Sequence, residues 1–406
     1  MKITVSHSGK QHSYHLAKAL LNLQSLDVFF TSSYVASPAL QNYFIKSGNT
    51  YFSRRFEEGL GGSKVDANWR FELREIILRK LYGKTGRTQN AVYERDVNFD
   101  AYVAGKLPNR KADAFWGFQG SCHSSLQKAN DLGRISLCEL ATAHVTAARR
   151  ILGEESLLHP EWADSIDNLV FPAPYEKRLV EEPHIAKYAV AASAFTRQTL
   201  LEDGIAPEKI LTLPLGFDLQ HVPYPERNDD ITKRPLRLLY AGTLTQRKGL
   251  LYLLSAMRSL KNENIELHCI GGIQGSGKAL KEFSDNYIYH SPVSQAELFG
   301  MYGAYDALVL PTVFEGFGLV IVEAMAAGLP VITTPHSMGP ELVRDNVNGW
   351  IVPIRDISAL STAIMKLRHK TGDEYLAMRQ AARDSAGAYT WDVYAQRLGS
   401  LISGLK

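Results

Sequence analysis

The sequence predicts an α/β protein with two domains, each built around a parallel sheet covered by helices on both faces. The chain has 406 residues, and two domains are the default because hydrophobic cores stop growing at roughly 250 to 300 residues. Short apolar runs rich in β-branched residues alternate with helical patterns along most of the chain. The composition, 45% hydrophobic and 21% charged, is typical of a folded protein.

The first half contains six predicted strands, and a helix over 12–21 follows the first of them. The strands are 2–5, 27–31, 114–117, 135–140, 187–192 and 210–213. Residues 40–110 interrupt the alternation with helices such as 69–81, and between residues 46 and 111 there are 14 Lys/Arg and 8 Asp/Glu. This segment is either an ordinary solvated helical insertion or a basic surface for an anionic membrane or an acceptor.

The second half repeats the pattern after a connection over 214–235, where four prolines and little periodicity indicate a link between domains. Helices are predicted over 250–258 and 297–302. The six strands are 237–240, 265–270, 287–290, 307–310, 330–334 and 350–352. We therefore predict a first domain over 1–218, with its insertion at about 40–110, and a second domain over 219–385.

Charge and cysteine content exclude several function classes. The formal charge of +3 comes from 45 basic and 42 acidic residues, which gives no electrostatic reason to expect nucleic-acid binding. Cys122, Cys138 and Cys269 are far apart in the sequence and predict neither a disulfide framework nor a zinc site. No apolar run approaches the roughly 20 residues of a membrane span. We expect a cytoplasmic protein, with at most peripheral contact at the inner membrane face.

Residues 308–330 carry the strongest functional signal, because they predict a strand, a glycine loop and a short helix in succession. Gly316 and Gly318 would let the backbone approach a ligand closely. Unpaired amides that open the helix near Leu319 would face that ligand with the positive end of the helix dipole. A diphosphate is the natural occupant of such a site. Gly328 and Pro330 end the helix.

Two carboxylates lie eight positions apart in this segment. Glu315 falls in the loop at the carboxyl edge of the strand, and Glu323 falls more than one turn into the helix. A carboxylate can accept paired hydrogen bonds from vicinal hydroxyls, so the two side chains could hold two ends of one elongated ligand. The alternative is that Glu323 is a surface glutamate and that Glu315 is simply an anion near a helix N-terminus.

This segment resembles the family 4 glycosyltransferases of the GT-B fold, whose Glu-x7-Glu motif precedes a small-residue helix and a Gly-x-Pro-Val-Ile strand, as in 315–332. The resemblance implies two Rossmann-like domains with parallel sheets facing across a donor-binding cleft. It also implies that Glu315 and the backbone of Gly316, Phe317, Gly318 and Leu319 contact the donor sugar, and that Glu323 holds the nucleotide ribose.

The resemblance extends over most of 185–355. Residues 240–249 look like the phosphate-binding turn of the family, which contains Gly242, and here Arg247 and Lys248 would neutralise the charge on the nucleoside diphosphate leaving group. By the same resemblance, the backbone around Val293 contacts the base. Residues 389–393 resemble the start of the final helix, predicted over 386–406, which crosses back to the first domain.

The N-terminal half matches the family pattern less well. A glycine-rich acceptor loop normally follows the first strand, and this chain offers only Gly9 there, with Lys10 and His12 as further acceptor-side candidates. The family places a histidine after a first-domain strand near the donor sugar. His144 is our candidate for that catalytic position, and His123 competes with it.

The resemblance therefore implies a retaining, metal-independent glycosyltransferase with a nucleotide-sugar donor, and we expect a UDP- or GDP-sugar and no cofactor. Its acceptor would be a hydroxyl of a glycan, a lipid-linked sugar or a small molecule. The alternatives are a sugar-nucleotide epimerase of the same fold and a non-catalytic nucleotide-sugar-binding subunit. Residues 272–278 fit a GxxxxGK pattern, but Ala279 stands where a magnesium-binding Ser or Thr is needed, so we predict only a glycine turn.

Overall fold

Two parallel sheets organise the chain in a computed structural model that describes residues 1–83, 86–166, 171–226 and 230–405. The first sheet has seven strands in the order β3-β2-β1-β4-β5-β6-β7, and their pairings are parallel. Its strands are β1 Ile3–His7, β2 Leu26–Thr31, β3 Val65–Ala67, β4 Ala114–Phe118, β5 Ile135–Leu140, β6 Tyr188–Ala191 and β7 Ile210–Thr212.

The second sheet has six strands in the order β10-β9-β8-β11-β12-β13, again with parallel pairings. Its strands are β8 Leu236–Ala241, β9 Ile265–Ile270, β10 Ile288–His290, β11 Ala307–Leu310, β12 Val331–Thr333 and β13 Gly349–Ile351.

Helices cover both faces of each sheet. Those before β8 are α1 Ser13–Asn22, α2 Pro38–Lys46, α3 Thr50–Ser53, α4 Arg70–Tyr82, α5 Gly86–Lys106, α6 His123–Asp131, α7 Val145–Leu158, α8 Ala173–Ile185 and α9 Ala194–Glu202. Those after β8 are α10 Leu250–Ser259, α11 Gln295–Met301, α12 Leu319–Ala326, α13 Gly339–Leu342, α14 Ile357–Arg368, α15 Gly372–Ala386 and α16 Trp391–Gly404.

The apolar strands are explained by burial on both faces. In β2, Phe29 packs in one hydrophobic cluster with Tyr14 of α1, whereas its neighbour Phe30 packs in another with Phe99 of α5. Successive side chains of a strand point to opposite faces, so a strand covered on both sides needs apolar residues throughout. This arrangement confirms the predicted α/β class.

Strand order places a crevice in each sheet. β1 lies between β2 and β4, and β8 lies between β9 and β11, so the order reverses at each of these strands. Segments that leave the two central strands at their carboxyl ends diverge toward opposite faces, which opens the crevice where ligands bind in such sheets. The predicted phosphate turn follows β8, and the predicted glycine loop follows β11.

All twelve predicted strands are present, with bounds that shift by one or two residues. The predicted helix over 297–302 instead begins at Gln295, because Ser294 and Glu297 form a capping box at its N-terminus. The predicted helical insertion contains one element that we did not predict, the edge strand β3. It has only three residues, too few for an alternating apolar pattern, and it pairs with the end of β2.

The final helix packs against the first domain. Tyr394, Leu398 and Ile402 of α16 belong to the cluster that covers one face of the first sheet, and Trp391 stacks on His15 of α1 with ring centroids 3.8 Å apart. Residue 406 of the predicted C-terminal segment lies outside the described residues.

Among the residues that the structure describes, no helix combines the length and the apolar character that crossing a bilayer requires. The exact domain boundaries stay predictions.

Candidate functional site

The segments after β8 and β11 bring two cations and one carboxylate together at the crevice of the second sheet. Lys248 Nζ lies 2.7 Å from Glu315 Oε2, and Arg247 Nη1 lies 3.4 Å from the same oxygen. Arg247 also donates to the carbonyl of Phe314 over 3.0 Å. Residues separated by 67 positions in the sequence therefore form one cluster, at the end of the strands where the prediction placed it.

The charge state of Glu315 follows from this cluster. Burial alone would raise the pKa of its carboxyl group, but the positive charges of Lys248 and Arg247 outweigh burial and hold the pKa below its ordinary value. Glu315 is therefore an anion at neutral pH, and the cluster carries one net positive charge. An anionic ligand at this place would meet an electrostatically favourable site.

Glu323 occupies the inward face of α12 and is only 7% exposed. Its Oε1 accepts a hydrogen bond of 2.6 Å from Gln295 Nε2, and its Oε2 accepts one of 3.3 Å from Tyr302 Oη. Burial raises the pKa of its carboxyl group. The alternative that Glu323 is a surface glutamate is therefore wrong. Gln295 and Tyr302 were not predicted, because nothing local in the sequence links them to a residue more than 20 positions away.

Two cavities adjoin at α12. The inner cavity has a volume of about 350 Å³, and the outer cavity, about 680 Å³ in volume, lies between the two domains. Leu319 and Glu323 line both cavities. The predicted residues that line the inner cavity are Gly242, Lys248, Glu315, Phe317, Gly318, Leu319 and Glu323. Seven predicted donor-site residues thus surround one space of a size that suits a small ligand.

Gly316 lies at a close contact between the two domains. A β-carbon at this position would lie 2.4 Å from the Cα of Thr142 and 2.6 Å from the carbonyl oxygen of Ala141, both in the first domain. The carbonyl of Gly316 also accepts a 2.6 Å hydrogen bond from Ser193 Oγ. The close contact between the domains therefore leaves no room for a side chain at this position.

A buried carboxylate of the first domain holds the turn that carries the two cations. Glu155 of α7 accepts hydrogen bonds from Gln246 Nε2 and Tyr252 Oη over 2.6 Å each, and from Arg355 Nε over 2.7 Å. These three donors all belong to the second domain. Because Gln246 directly precedes Arg247, Glu155 links the predicted phosphate turn to the first domain. Sequence analysis missed this contact, which joins positions about 90 apart.

The acceptor-side candidates lie after β1, at the crevice of the first sheet. Lys10 lines the outer cavity, and burial lowers the pKa of its ammonium group. The backbone N–H of Gly9 donates to His7 Nδ1 over 2.6 Å. His12 Nε2 makes a short contact with Glu139, whose other oxygen accepts a 2.7 Å hydrogen bond from the indole of Trp116. Of these candidates, Lys10 is the one that the described cavity linings include.

His144 does not join the site, which corrects our prediction for this residue. Its side chain is fully buried behind α7, with Nδ1 3.4 Å from Asp203 Oδ1, and it is absent from the described linings of both cavities. Burial lowers the pKa of its imidazole. The competing His123, at the start of α6, pairs with Glu181 of α8 over 3.0 Å, and the described linings of both cavities do not include it. His144 follows its strand in the sequence as predicted, but its side chain points into the interior of the domain.

Val293 also lies apart from the cavities. It is 37% exposed between β10 and α11, and the described lining residues of both cavities do not include it. Gln295, two residues further on, lines the outer cavity instead.

In the GxxxxGK segment, the N–H of Ser276 donates to Asp164 Oδ2 over 2.8 Å. That turn is therefore a contact with the first domain, in agreement with the predicted glycine turn.

Two of the three cysteines meet in the core, although they are distant in the sequence. The Sγ atoms of Cys122 and Cys138 lie 3.8 Å apart as free thiols, and Glu182 completes the group. Burial raises the pKa of both thiols and raises that of Glu182 to about 8. Metal ligands must be deprotonated, so this group has the character of a packed core. The expectation of a metal-independent site stays a prediction.

His7 predicts a specific pH dependence of stability. Burial, reinforced by His12 and Arg95, lowers the pKa of His7 from 6.5 to about 3. The unfolded chain therefore takes up a proton below pH 6.5 that the folded chain takes up only near pH 3, so the stability falls as the pH falls. Between pH 7 and 5 this single group should lower the free energy of unfolding by about 2 kcal/mol.

The His7→Asn variant isolates this effect, since an Asn oxygen can accept the Gly9 N–H and does not titrate. Urea unfolding at pH 7 and pH 5 should show a smaller pH-dependent loss in the variant than in the wild type, even though the variant is less stable at both values. Equal losses in the two proteins would show that His7 titrates normally.

Comparison with known proteins identifies the fold class. HepE from Anabaena, solved with UDP and glucose, superposes with a TM-score of 0.62 at 15% identity over 100% of both chains. Sucrose-phosphate synthase from Thermosynechococcus elongatus gives 0.63 at 19% identity, over 99% of this chain and 98% of that one. At such identities the likeness establishes the fold alone. The chain has the GT-B fold, with two Rossmann-like domains.

The family match falls in the second half of the chain. Residues 235–370 match the family Glycosyl transferases group 1, so this part of the chain is similar to that family. The putative colanic acid biosynthesis glycosyltransferase WcaL of Escherichia coli K12 is 29% identical over 216 residues, 50% of this chain and 53% of the relative. A D-inositol 3-phosphate glycosyltransferase of Xylanimonas cellulosilytica is 29% identical over 257 residues, 55% and 61% of the two chains. The chain thus spans about half the length of these curated relatives.

Proposed function

We propose that this protein is a nucleotide-sugar-dependent glycosyltransferase whose donor lies in the inner cavity. The observation that carries the proposal is the cluster of Lys248, Arg247 and Glu315 beside the N-terminus of α12, with Glu323 in the same cavity. A cationic cluster and unpaired helix amides suit a diphosphate. Carboxylates suit the hydroxyls of a sugar and a ribose. A nucleotide sugar presents these groups in one molecule.

Each residue has a proposed role in donor binding. Lys248 and Arg247 bind the diphosphate and neutralise the charge that develops on it. Glu315 orients the donor sugar through its hydroxyls, and Glu323 binds the nucleotide ribose. Gln295 fixes one oxygen of Glu323 through its 2.6 Å hydrogen bond, so that the remaining lone pairs face the cavity. UDP and GDP are the nucleotides we propose, and HepE, which shares the fold, has been solved with UDP.

The proposed reaction retains the configuration of the sugar, as the resemblance to family 4 implies. The bond between the anomeric carbon and the diphosphate oxygen breaks, and its electron pair leaves with the nucleoside diphosphate. The acceptor oxygen attacks from the same face and forms the new glycosidic bond, and its proton passes to the departing phosphate oxygen. Side-chain cations and helix amides supply the charge stabilisation, which is the basis for proposing metal independence.

A thermal-shift experiment tests the donor site without requiring the acceptor. We would measure the melting temperature with UDP, GDP, ADP and dTDP in metal-free buffer. At about 100 times its Kd a nucleotide stabilises the folded state by about 2.7 kcal/mol, which is a rise of several degrees. One nucleotide should give this rise, and Glu323→Gln should weaken its binding roughly tenfold by removing a hydroxyl acceptor.

The exposed Glu263 provides the matched control, since Glu263→Gln makes the same chemical change on the second domain outside both cavities. It should bind the nucleotide as the wild type does. If no nucleotide stabilises the folded wild type, the donor-site proposal fails. If a nucleotide binds and its turnover gives an isomerised donor without transfer, the epimerase alternative replaces the transferase.

A further inference from the structure

Helix α4 presents a face that is unusual for a helix in contact with water. Apart from Tyr82 at its last position, the exposed side chains among its described residues recur at intervals of three or four positions, so they lie on one side of the helix. Leu73, Ile77 and Leu81 are 54%, 56% and 66% exposed. The full set of exposed residues along this side is Arg70, Leu73, Arg74, Ile77, Lys80 and Leu81.

The acidic residues of α4 point the opposite way. Glu72 is fully buried and accepts hydrogen bonds from Ser33 Oγ over 2.8 Å, with Arg55 3.1 Å away. Glu75 is also buried, and it pairs with Arg95 over 2.6 Å. A helix that faced only water would place its acids outside and its aliphatic residues inside. In α4 both of these acids are inside, and although Phe71 also packs against the core, the outer side is both apolar and cationic.

Helix α2, which is joined to the start of α4 by stacked rings, also exposes apolar side chains. Leu40, Tyr43 and Ile45 are 50%, 65% and 56% exposed, and α2 has no acidic residue. Its Phe44 ring packs on Phe52 with centroids 5.0 Å apart, and Phe52 in turn packs on Trp69 next to α4 at 5.3 Å. We call the exposed residues of α2 and α4 together the α2–α4 face. Its apolar residues far exceed the scattered ones that a water-facing surface normally carries.

The α2–α4 face borders the outer cavity. Gln41 of α2 lines that cavity together with Glu57 and Lys10. The same cavity reaches Leu319 and Glu323, which also line the proposed donor cavity. The α2–α4 face and the proposed donor cavity therefore adjoin the same outer cavity. Arg74 pairs with Glu94 of α5 at the rim, but the exposed positions described on α2 and α4 are otherwise basic, polar or apolar.

We propose that the α2–α4 face docks on an anionic phospholipid bilayer. Aliphatic and tyrosine side chains enter the boundary between headgroups and acyl chains, and Arg70, Lys80 and Lys46 contact the phosphates. Resting on the proposed function, the inference extends to the substrate class: the acceptor is a sugar linked to a membrane lipid, whose headgroup reaches the outer cavity while its tail stays in the bilayer.

Vesicle co-sedimentation of the full chain tests this docking. Vesicles made of equal parts phosphatidylglycerol and phosphatidylcholine should bind the wild type, and pure phosphatidylcholine should bind it much more weakly. The Ile77→Glu/Leu81→Glu double variant should lose binding by about tenfold or more, because it places two anions in the apolar face. Leu157→Glu is the matched control, since Leu157 is 84% exposed on α7 of the same domain, and it should bind as the wild type does.

Several outcomes would overturn the docking. Absence of wild-type binding to either vesicle would do so, as would equal binding of the double variant. Equal loss in Leu157→Glu would also count against it, because the effect would then not belong to this face. If the double variant instead converts a dimer to a monomer while the wild type ignores vesicles, the face is a contact between copies of the chain.

The outcomes separate docking from the proposed function. Nucleotide-induced thermal shifts should be unchanged in Ile77→Glu/Leu81→Glu, which also shows that the variant is folded. If the wild type binds anionic vesicles but no nucleotide, the result supports the docking proposal and contradicts the proposed glycosyl transfer. If it binds a nucleotide but no vesicle, the result supports the donor-site proposal and contradicts the docking proposal. Equal transfer rates to a water-soluble acceptor and to the same sugar on a vesicle-embedded lipid would refute the lipid-linked acceptor.

Discussion

Replacement of Lys248 by Met should lower the rate of sugar transfer by about 10²-fold or more, while the protein remains folded. Lys248 is the cation closest to Glu315, at 2.7 Å, and it lines the inner cavity. Removal of one preorganised charge that stabilises a developing anion costs about 10² to 10³ in kcat. Met keeps the apolar stem of the side chain, so the change removes the charge without opening a large space. Release of nucleoside diphosphate measures the rate.

Lys281→Met is the matched control, because Lys281 is exposed on the same domain and outside both cavities. Its rate should equal that of the wild type. The decisive comparison is between kcat and KM: the proposed role requires the loss to appear mainly in kcat. A Lys248→Met enzyme with an unchanged kcat would show that Lys248 serves only to neutralise Glu315.

Replacement of Glu155 by Ala should lower the free energy of unfolding by about 3 kcal/mol. Glu155 is fully buried and accepts three hydrogen bonds, from Gln246, Tyr252 and Arg355. Ala would leave these donors without their acceptor, and removal of one partner from a buried charged network costs about 3 to 5 kcal/mol. The value lies at the lower end because Arg355 is partly exposed. Denaturant unfolding measures the loss.

Glu154→Ala is the control for this experiment, because the neighbouring Glu154 is about half exposed and pairs with the same Arg355 over 3.2 Å. An exposed pair contributes at most about 1 kcal/mol, so this variant should stay close to the wild type. Glu155→Ala should also weaken nucleotide binding, since Gln246 positions the turn that holds Arg247. Similar losses in the two variants would contradict the network.

The sequence predicted the parts of the site that are local in the chain. Strand, glycine loop and helix follow one another in residues 308–330. Glu315 and Glu323 both lie in this segment, and both line the inner cavity. Strand order then brought the turn after β8 beside the loop after β11, because parallel strands end at the same edge of a sheet. The pairing of Lys248 with Glu315 follows from this topology.

Tertiary packing decided the features that sequence analysis missed. His144 follows its strand as expected, but its side chain turns toward Asp203, and no local pattern specifies that direction. Gln295 and Glu155 reach the site through contacts that join distant segments. Sequence analysis also missed the exposed side of α4, because the placement of Glu72 and Glu75 inside the domain depends on basic partners elsewhere in the insertion.

The contact at Gly316 limits how this protein can exchange parts with its relatives. Gly316 of the second domain lies against Ala141 and Thr142 of the first with no room for a β-carbon between them. A chimera that takes one domain from another protein inherits only half of this contact. We therefore expect a domain exchange in this chain to require that both edges of this contact come from the same protein.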